Sequence, residues 1–237
     1  MKIPRPSSRA RYTALSIALA TLSLISIAGC DPRTLFFFLQ GEDPSTPPPC
    51  RTSFKGKKVV IVANASPTSL GETPNLGRDV SKGLAAILKE KIPKIEIVPI
   101  SKVSTWVEGH PSWTKHSELA ETFDAEYVIF LEIESFKVTD PSSPQMLHGD
   151  SRIHVVVTEW AHPKDDKGKP MKDQPKEENE VFDNYVEPSF PKTGPIPMDT
   201  ANGRSKFLKG YIELVATEVA YLFVNRPMGE DIQGNKF

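Results

Sequence analysis

The sequence predicts an α/β (α+β) fold in which helices pack on a mixed sheet of about five strands, in the order β-α-β-α-β-β-β-α. Two patterns predict it. In the first half, runs rich in β-branched residues alternate with segments of helical periodicity, which favours parallel strands joined by right-handed crossovers. In the second half, strand-like segments follow one another directly, which favours antiparallel hairpins.

The first strand and the first helix have the clearest patterns. Residues 59–63 are a continuous, mostly β-branched run, as expected of a strand that is covered on both faces. Asn75 is the predicted N-cap of the helix that follows, and Pro93 ends that helix. The apolar positions on one face of this helix are Leu76, Val80, Leu84, Ile87, Leu88 and Ile92.

The next segment predicts a short strand and two short helices. The strand starts at Ile95, and Pro99 indicates that it lies at a sheet edge or ends there. The two helical pieces flank residues 109–111, where glycine and proline interrupt the pattern. The second piece is predicted to be capped at residues 116–117.

Residues 125–140 are the longest strand candidate. They change from a continuous apolar run to alternation after Phe130, which indicates a buried first half and a second half that emerges toward solvent on one side. A polar loop is predicted at 141–149, followed by a strand at 151–161 that forms an antiparallel hairpin with 125–140.

The last part of the chain predicts an exposed hairpin tip, one more strand and a long helix. Residues 164–178 are almost wholly charged or turn-forming, as in a solvated tip. Residues 179–191 form the strand, and 191–203 form a loop. Residues 204–225 carry a wide apolar stripe typical of a packed helix, and Pro227 stops the chain from continuing it.

The N-terminus has the pattern of a secretion signal. Basic residues precede a short apolar run that ends in the small pair Ala28-Gly29. The run is too short, and too rich in serine and threonine, for a membrane span of about 20 apolar residues. We therefore predict four segments: a signal peptide (1–29), a tether (30–56), one globular domain (57–226) and a tail (227–237).

Residues 27–30, where the predicted tether begins, resemble the lipobox of bacterial lipoproteins. Ile27, Ala28 and Gly29 stand before Cys30, as an aliphatic and two small residues do in that motif. The resemblance implies a diacylglycerol thioether on the Cys30 sulfur, cleavage after Gly29 and acylation, commonly by palmitate, of the new amino terminus. The alternative is an ordinary signal peptide with a coincidental cysteine.

The two alternatives differ in the number of free thiols that they leave in the mature protein. If Cys30 is acylated, Cys50 is a lone thiol in an exported protein; if not, the two can close a disulfide, as an oxidising compartment permits.

Residues 35–39 are strongly apolar, so they either pack against the domain or enter the bilayer beside the anchor. Residues 41–50 are rich in proline and predict a semi-rigid spacer.

The predicted location is the bacterial cell envelope, with the domain facing the periplasm. Asp31 follows the lipidated cysteine and resembles the inner-membrane retention signal of enterobacterial lipoproteins, which favours the inner membrane. The predicted signal peptide holds four of the 29 basic residues and no acidic one, so the mature chain carries 25 basic and 30 acidic side chains. This balance gives no support to nucleic-acid binding or to attraction by anionic lipids, so attachment must come from acyl chains.

The order of segments resembles CsgG-like and LpoB-like (TolB N-terminal-like) envelope lipoproteins over about residues 57–224. The segment 124–128, Asp-Ala-Glu-Tyr-Val, is similar to the one that introduces the third strand in those families. The resemblance implies a two- or three-layer α/β fold and a non-enzymatic accessory role, and it assigns no site residue. An obvious counterpart of the membrane-inserting CsgG hairpin is lacking in this chain.

A search for chemistry predicts no catalytic, cofactor-binding or metal-binding residue. The sequence contains no Gly-x-Ser-x-Gly elbow, no His-Glu-x-x-His and no phosphate loop. Gly71 and Gly77 flank the start of the first helix, but their spacing is that of a plain loop and matches no phosphate fingerprint. Neither the histidines nor the acidic pairs 165–166 and 177–178 have metal-ligand spacing. The histidines are His110, His116, His148, His154 and His162.

Six aromatic residues are candidates for an interface, although each is also an ordinary core residue. They are Trp106, Trp113, Phe136, Trp160, Phe182 and Tyr185. The predicted function is that of a lipid-anchored envelope accessory protein, an assembly, transport or cell-wall factor, that acts by binding a protein partner and has no catalytic activity. The alternatives are a lipid-anchored hydrolase or other enzyme with an unrecognised site, which would need titratable residues clustered in a pocket, and a small-ligand-binding lipoprotein.

Overall fold

The computed structural model of the protein describes residues 45–67, 69, 73–198 and 203–228. Alternation of strand and helix patterns along the chain produces the predicted mixture of elements. In chain order they are β1 (Ser45–Thr46), β2 (Lys58–Ala65), α1 (Leu76–Lys91), β3 (Glu96–Ile97), α2 (Ile100–Gly109), α3 (His116–Phe123), β4 (Tyr127–Asp140), β5 (Ser143–Ala161), β6 (Glu177–Val186), β7 (Ser189–Phe190), β8 (Ile196–Pro197), α4 (Gly203–Ala220) and β9 (Arg226–Pro227).

The main sheet is mixed and has the strand order β3-β2-β4-β5-β6. β2 is parallel to β3 and β4, whereas β4, β5 and β6 are successively antiparallel. The short strands β7 and β8 also pair with β5, and β1 pairs with β9 in a separate ribbon. The predicted fold class, a mixed sheet with helices packed on it, is confirmed.

One face of the sheet packs against α1 and α4. Alternate residues of the strands, among them Ile61, Ile129 and Val155, point to this face and are fully buried. The two helices approach each other closely at Gly83, where a Cβ atom would lie 2.7 Å from the Cβ of Ala216. The absence of a side chain at Gly83 therefore determines how near the helices can pack.

Replacing Gly83 by leucine should lower the free energy of unfolding by about 1–3 kcal/mol, because the new side chain overpacks the contact between α1 and α4. Urea denaturation measures the change. The matched control is Ala86→Leu, at an exposed position on the same helix, for which a change within about 0.5 kcal/mol is expected. Equal losses in the two variants would contradict the packing argument.

The opposite face of the sheet carries a second, smaller core. Val60, Val62 and Val128 pack there against Val103 of α2 and Leu119 of α3. These two helices cover only part of the face, so beyond Phe130 the residues of β4 alternate between exposed and buried. The predicted change from continuous burial to alternation after Phe130 is confirmed.

The predicted loop at 141–149 is wrong. β5 begins at Ser143, so only two residues separate it from β4. Register shifts between β4 and β5 allow this pairing to continue despite the turn-forming residues. Because β7 and β8 also pair with the first part of β5, tertiary hydrogen bonding holds this segment as a strand, and β5 (19 residues) is longer than β4 (14 residues).

Two predicted helix ends and one predicted cap differ from the structure. α4 ends at Ala220 and not at residue 225, although Leu222, Phe223 and Val224 remain buried in the turn that follows. α3 begins at His116 after Lys115, whose backbone N–H donates to Glu118 Oε1 at 3.2 Å. Asn75 precedes α1 as predicted, but its side chain accepts a hydrogen bond from Arg78 and does not cap the helix.

Residues 45–56, predicted to be tether, pack on the domain that was predicted to start at 57. Phe54 and Cys50 are buried in the first core, which is the core between the sheet and the helices α1 and α4. The backbone N–H of Cys50 donates to Leu222 O at 3.0 Å. Burial raises the pKa of the Cys50 thiol, which makes it a poor nucleophile. Pairing of β1 with β9 brings Pro227 to the same end of the domain.

The predictions for the N-terminal region concern residues outside the described ones. These are the signal peptide, lipidation of Cys30, the sorting role of Asp31 and the fate of residues 35–39. In the described part of the chain, the helices are too short or too polar to cross a membrane.

Candidate functional site

The six candidate interface aromatics divide into core residues and one exposed residue. Phe136 is buried, and Phe182 packs on the first core. Trp106, Trp113 and Trp160 are half-buried against the second core. Tyr185, on β6, is 43% exposed. Tyr185 is therefore the most exposed aromatic side chain of this set.

The uncovered part of the sheet places charged residues around Tyr185. We call this surface the open face; it lies on the side of the second core, past α2 and α3. Its residues alternate with core residues on three neighbouring strands, and the registers bring Glu132, His154 and Tyr185 side by side. The open face consists of Glu132 and Glu134 on β4, Arg152 and His154 on β5, and Asp183 and Tyr185 on β6.

His154 lies between two carboxylates and against Tyr185. Its Nε2 atom is 2.9 Å from Asp183 Oδ1, and its Nδ1 atom is 3.8 Å from Glu132 Oε2. Its ring stacks on the Tyr185 ring with the centroids 4.5 Å apart and an angle of 10° between the planes. These contacts hold the Tyr185 ring in one orientation while its outer part stays exposed.

Arg152 supports Tyr185 in the same way. Its guanidinium carbon lies 4.5 Å from the centre of the Tyr185 ring, as in a cation–π contact. Its Nε atom is 3.1 Å from Glu134 Oε2, and its Nη1 atom is 3.6 Å from Glu187 Oε1. Partly exposed ion pairs of this kind contribute about 0–1 kcal/mol each. Stability alone therefore gives little reason for this arrangement.

A groove of about 520 Å³ adjoins the open face. Its walls are the segment 46–49, the end of β6 and the C-terminal half of α4, and apolar side chains line much of it. Tyr185 belongs to both surfaces, and Glu187 of the groove is paired with Arg152 of the open face, so the groove and the open face are continuous. The apolar and aromatic lining residues are Pro47, Pro49, Tyr185, Val186, Pro188, Leu214, Tyr221 and Leu222.

Charged residues also line the groove. Arg226 Nη2 is 2.9 Å from Glu218 Oε1, and the Arg226 guanidinium stacks 5.1 Å from the Tyr221 ring centre. Glu187 and Lys192 line the groove as well. Apolar and aromatic side chains accompanied by charged ones are usual in protein-binding surfaces.

Three of the other histidines lie in separate parts of the domain, and each makes a local contact. His110 Nδ1 is 2.8 Å from Trp106 O, His162 Nδ1 is 2.6 Å from Gln174 O, and His148 Nε2 is 3.4 Å from Ser189 Oγ. Among the described residues, no group of three or more histidine, cysteine, aspartate or glutamate side chains is placed to hold a metal ion.

One member of each acidic pair and Gly77 have local structural roles. Asp165 Oδ1 accepts the backbone N–H of Lys169 at 2.8 Å, which closes the hairpin tip. Glu178 Oε2 accepts the N–H of Ser117 at 2.8 Å. A Cβ atom on Gly77 would lie 2.8 Å from Ala63 O, so this glycine permits close packing of α1 on β2. Gly71 lies outside the described residues.

His116 is held in an apolar position next to acidic residues. Its ring packs against Phe130, with the centroids 4.9 Å apart, and its Nδ1 atom is 3.6 Å from Glu178 Oε1. Burial lowers the pKa of His116, and the charges of Glu178 and Glu180 offset part of that effect. The unfolded chain therefore takes up a proton on this histidine more readily than the native protein does.

The free energy of unfolding should consequently decrease as the pH drops below about 6.5, the ordinary pKa of histidine, because the unfolded chain then takes up a proton on His116 that the native protein does not. Above that pH the imidazole is neutral in both states, and the effect vanishes. Urea midpoints measured from about pH 7.5 down to about pH 5.5 should decrease less steeply for His116→Asn than for wild type. His110→Asn, at an exposed position, is the matched control; parallel curves for wild type and His116→Asn would refute the argument.

The sequence matches no protein-family model and no curated protein. Similar solved structures include a PelC dodecamer from Paraburkholderia phytofirmans, with 14% identity, a TM-score of 0.40 and coverage of 76% of this chain and 96% of that one. Lipoprotein GNA1162 from Neisseria meningitidis is 9% identical, with a TM-score of 0.38 and coverage of 68% and 99%. The hypothetical protein CT253 from Chlamydia trachomatis is 14% identical, with a TM-score of 0.38 and coverage of 70% and 98%. Function must be argued from the residues of this chain.

Most residues of the open face were missed by the sequence analysis. The signal that marks them is charge at every second position on neighbouring strands: Glu132 with Glu134, and Arg152 with His154. That spacing places each pair on one face, but it does not show that the face is uncovered. The groove has no comparable signal, because its walls come from segments far apart in the chain.

Proposed function

We propose that the protein is a lipid-anchored accessory protein of the bacterial cell envelope that acts by binding another protein and not by catalysis. The observation that carries the proposal is Tyr185: an exposed aromatic ring, held by His154 and Arg152, where the open face meets the groove. Tyrosine is enriched in binding hot spots, and a ring already held in place loses little freedom on binding. Acyl chains on Cys30 provide the anchor, and Asp31 favours the inner membrane with the domain in the periplasm.

The placement of the titratable groups favours this function over an enzyme. His154, Arg152 and their carboxylate partners lie on an open sheet surface and not in a cavity that excludes water. The groove is lined largely by proline, tyrosine and leucine, together with a few charged residues. Catalysis needs titratable side chains that converge on an enclosed substrate, whereas protein recognition needs an apolar centre within a polar rim.

Site-specific photo-crosslinking tests the proposal. The full-length chain carries a photoreactive phenylalanine at position 185 in one strain and at position 90, on the exposed surface of α1, in another. We expect a defined protein adduct from position 185 that is absent from position 90. If position 185 gives no protein adduct beyond that of position 90, the proposed function is wrong. A small-molecule adduct alone would favour the ligand-binding alternative.

A further inference from the structure

The strand β6 is the last strand of the sheet order, and its outer edge is unpaired in the described part of the chain. β6 pairs with β5 on one side, and no backbone hydrogen bond joins residues 177–186 to another described element on the other. No residue of β6 is buried. Such an edge presents backbone donors and acceptors that a further strand can pair with.

The acidic side chains of β6 favour pairing with a strand that carries basic side chains. Its ten residues contain four acidic side chains and no basic one. Glu178, Glu180 and Asp183 lie on the same side of the sheet as Tyr185. A strand added to this edge would place alternate side chains beside these carboxylates, so lysine or arginine at those positions would be favoured.

The groove begins where β6 ends. Tyr185 and Val186, the last residues of the strand, line it together with Pro188. An extended chain that pairs along β6 and continues past Val186 therefore leads into an apolar groove. The two features make one continuous track, acidic along the strand and apolar at its end.

We propose that β6 is the docking strand for an extended segment of the protein partner, which adds to the sheet edge with lysine or arginine facing the β6 carboxylates and with apolar side chains in the groove. The inference rests on the proposed function, since it describes how that partner is held. Backbone pairing supplies affinity, and the alternating charges and the groove supply specificity. A second copy of this chain is disfavoured as the added strand, because pairing β6 with itself would oppose acidic side chains.

Peptide binding to the purified full-length protein in detergent tests the inference. The probes are two synthetic peptides in which lysine and valine alternate over the length of β6, followed or preceded by Leu-Pro-Leu, so that both strand directions are covered. Fluorescence anisotropy measures the affinity, and hydrogen exchange locates the amides that become protected. Peptides with glutamate in place of lysine, and peptides with scrambled order, are the controls.

We expect one of the lysine peptides to bind and to protect amides within 177–186, while the glutamate peptides bind at least about tenfold more weakly. The double variant Glu180→Lys and Asp183→Lys, which changes two of the carboxylates on the Tyr185 side of the sheet, should lose about tenfold in affinity. The matched control, Glu90→Lys with Glu121→Lys, makes the same change in net charge at exposed positions on α1 and α3 and should bind normally.

Binding without protection of β6, equal binding of scrambled peptides, or equal losses in the two double variants would overturn the inference. So would the failure of both lysine peptides to bind. If photo-crosslinking from position 185 still yields a protein adduct in that case, the proposed function stands and only the docking mode is wrong. Peptide protection of β6 without any adduct in cells would contradict the proposed function and leave the docking strand intact.

Discussion

Replacing Tyr211 by alanine is expected to lower the free energy of unfolding by about 3–5 kcal/mol, the usual cost of removing a large aromatic side chain from a core. Tyr211 is 0% exposed and lies on α4, where it packs against Phe136, Phe190 and Phe207. The ring also lies directly over Gly149, at which a Cβ atom would be 2.7 Å from three of its atoms. The truncation would thus leave a cavity between α4 and β5.

The hydroxyl group of Tyr211 adds a smaller contribution. Its oxygen lies 2.8 Å from Ser151 Oγ and 3.0 Å from Pro188 O, and its single proton can be donated to either acceptor. Burial raises the pKa of Tyr211, so it remains a donor over the pH range in which the protein is studied. Tyr211→Phe should cost about 1–3 kcal/mol, because buried acceptors lose their partner.

Urea denaturation of the three proteins separates the two contributions. The order of stability should be wild type, Tyr211→Phe and Tyr211→Ala, with the larger step between the two variants. Leu208→Ala, at a half-buried position on the same helix, is a control for side-chain loss on α4. If Tyr211→Ala cost no more than Leu208→Ala, the central position assigned to Tyr211 would be wrong.

The parts of the fold that could be predicted are those in which a local pattern and the final environment agree. Residues 59–63 are β-branched and lie in a strand covered on both faces, and the stripe from Leu76 to Leu88 follows the buried side of α1. In the first part of β5 the two disagree. Its proline and glycine indicate a loop, but pairing with β7 and β8 makes it a strand. No local pattern contains that information.

The candidate site was predicted only in part for the same reason. Tyr185 was one of six aromatic candidates, and nothing in its neighbourhood distinguished it from Phe182, which is three residues away and packs on the core. The difference arises from the register of β6 against β5 and from the limited reach of α2 and α3. Exposure of an aromatic residue on a strand depends on what lies above the sheet, and that is a tertiary property.

The second large effect concerns the anchor: replacing Cys30 by serine should release the protein from the membrane or leave its signal peptide uncleaved. In the proposed anchor the thioether forms on the Cys30 sulfur, so serine removes the atom that would carry the diacylglycerol. Two or more acyl chains anchor stably, whereas one chain binds marginally and reversibly. The acidic excess of the mature chain, 30 acidic against 25 basic side chains, provides no electrostatic attraction that could compensate.

Membrane fractionation with metabolic labelling by palmitate measures this effect. Wild type should be labelled and found in the membrane fraction, and Cys30→Ser should be neither. Cys50→Ser is the matched control: its thiol lies in the first core, so the variant should keep both label and location. Deleting residues 35–39 should also leave the protein in the membrane, because the acyl chains suffice. Label that persists on Cys30→Ser would refute the anchor, and release by the deletion would show that the apolar segment holds the protein.

On a density gradient, wild type should migrate with inner-membrane markers and Asp31→Ser should shift toward the outer membrane. Outer-membrane recovery of wild type, unchanged in Asp31→Ser, would eliminate the sorting role of Asp31.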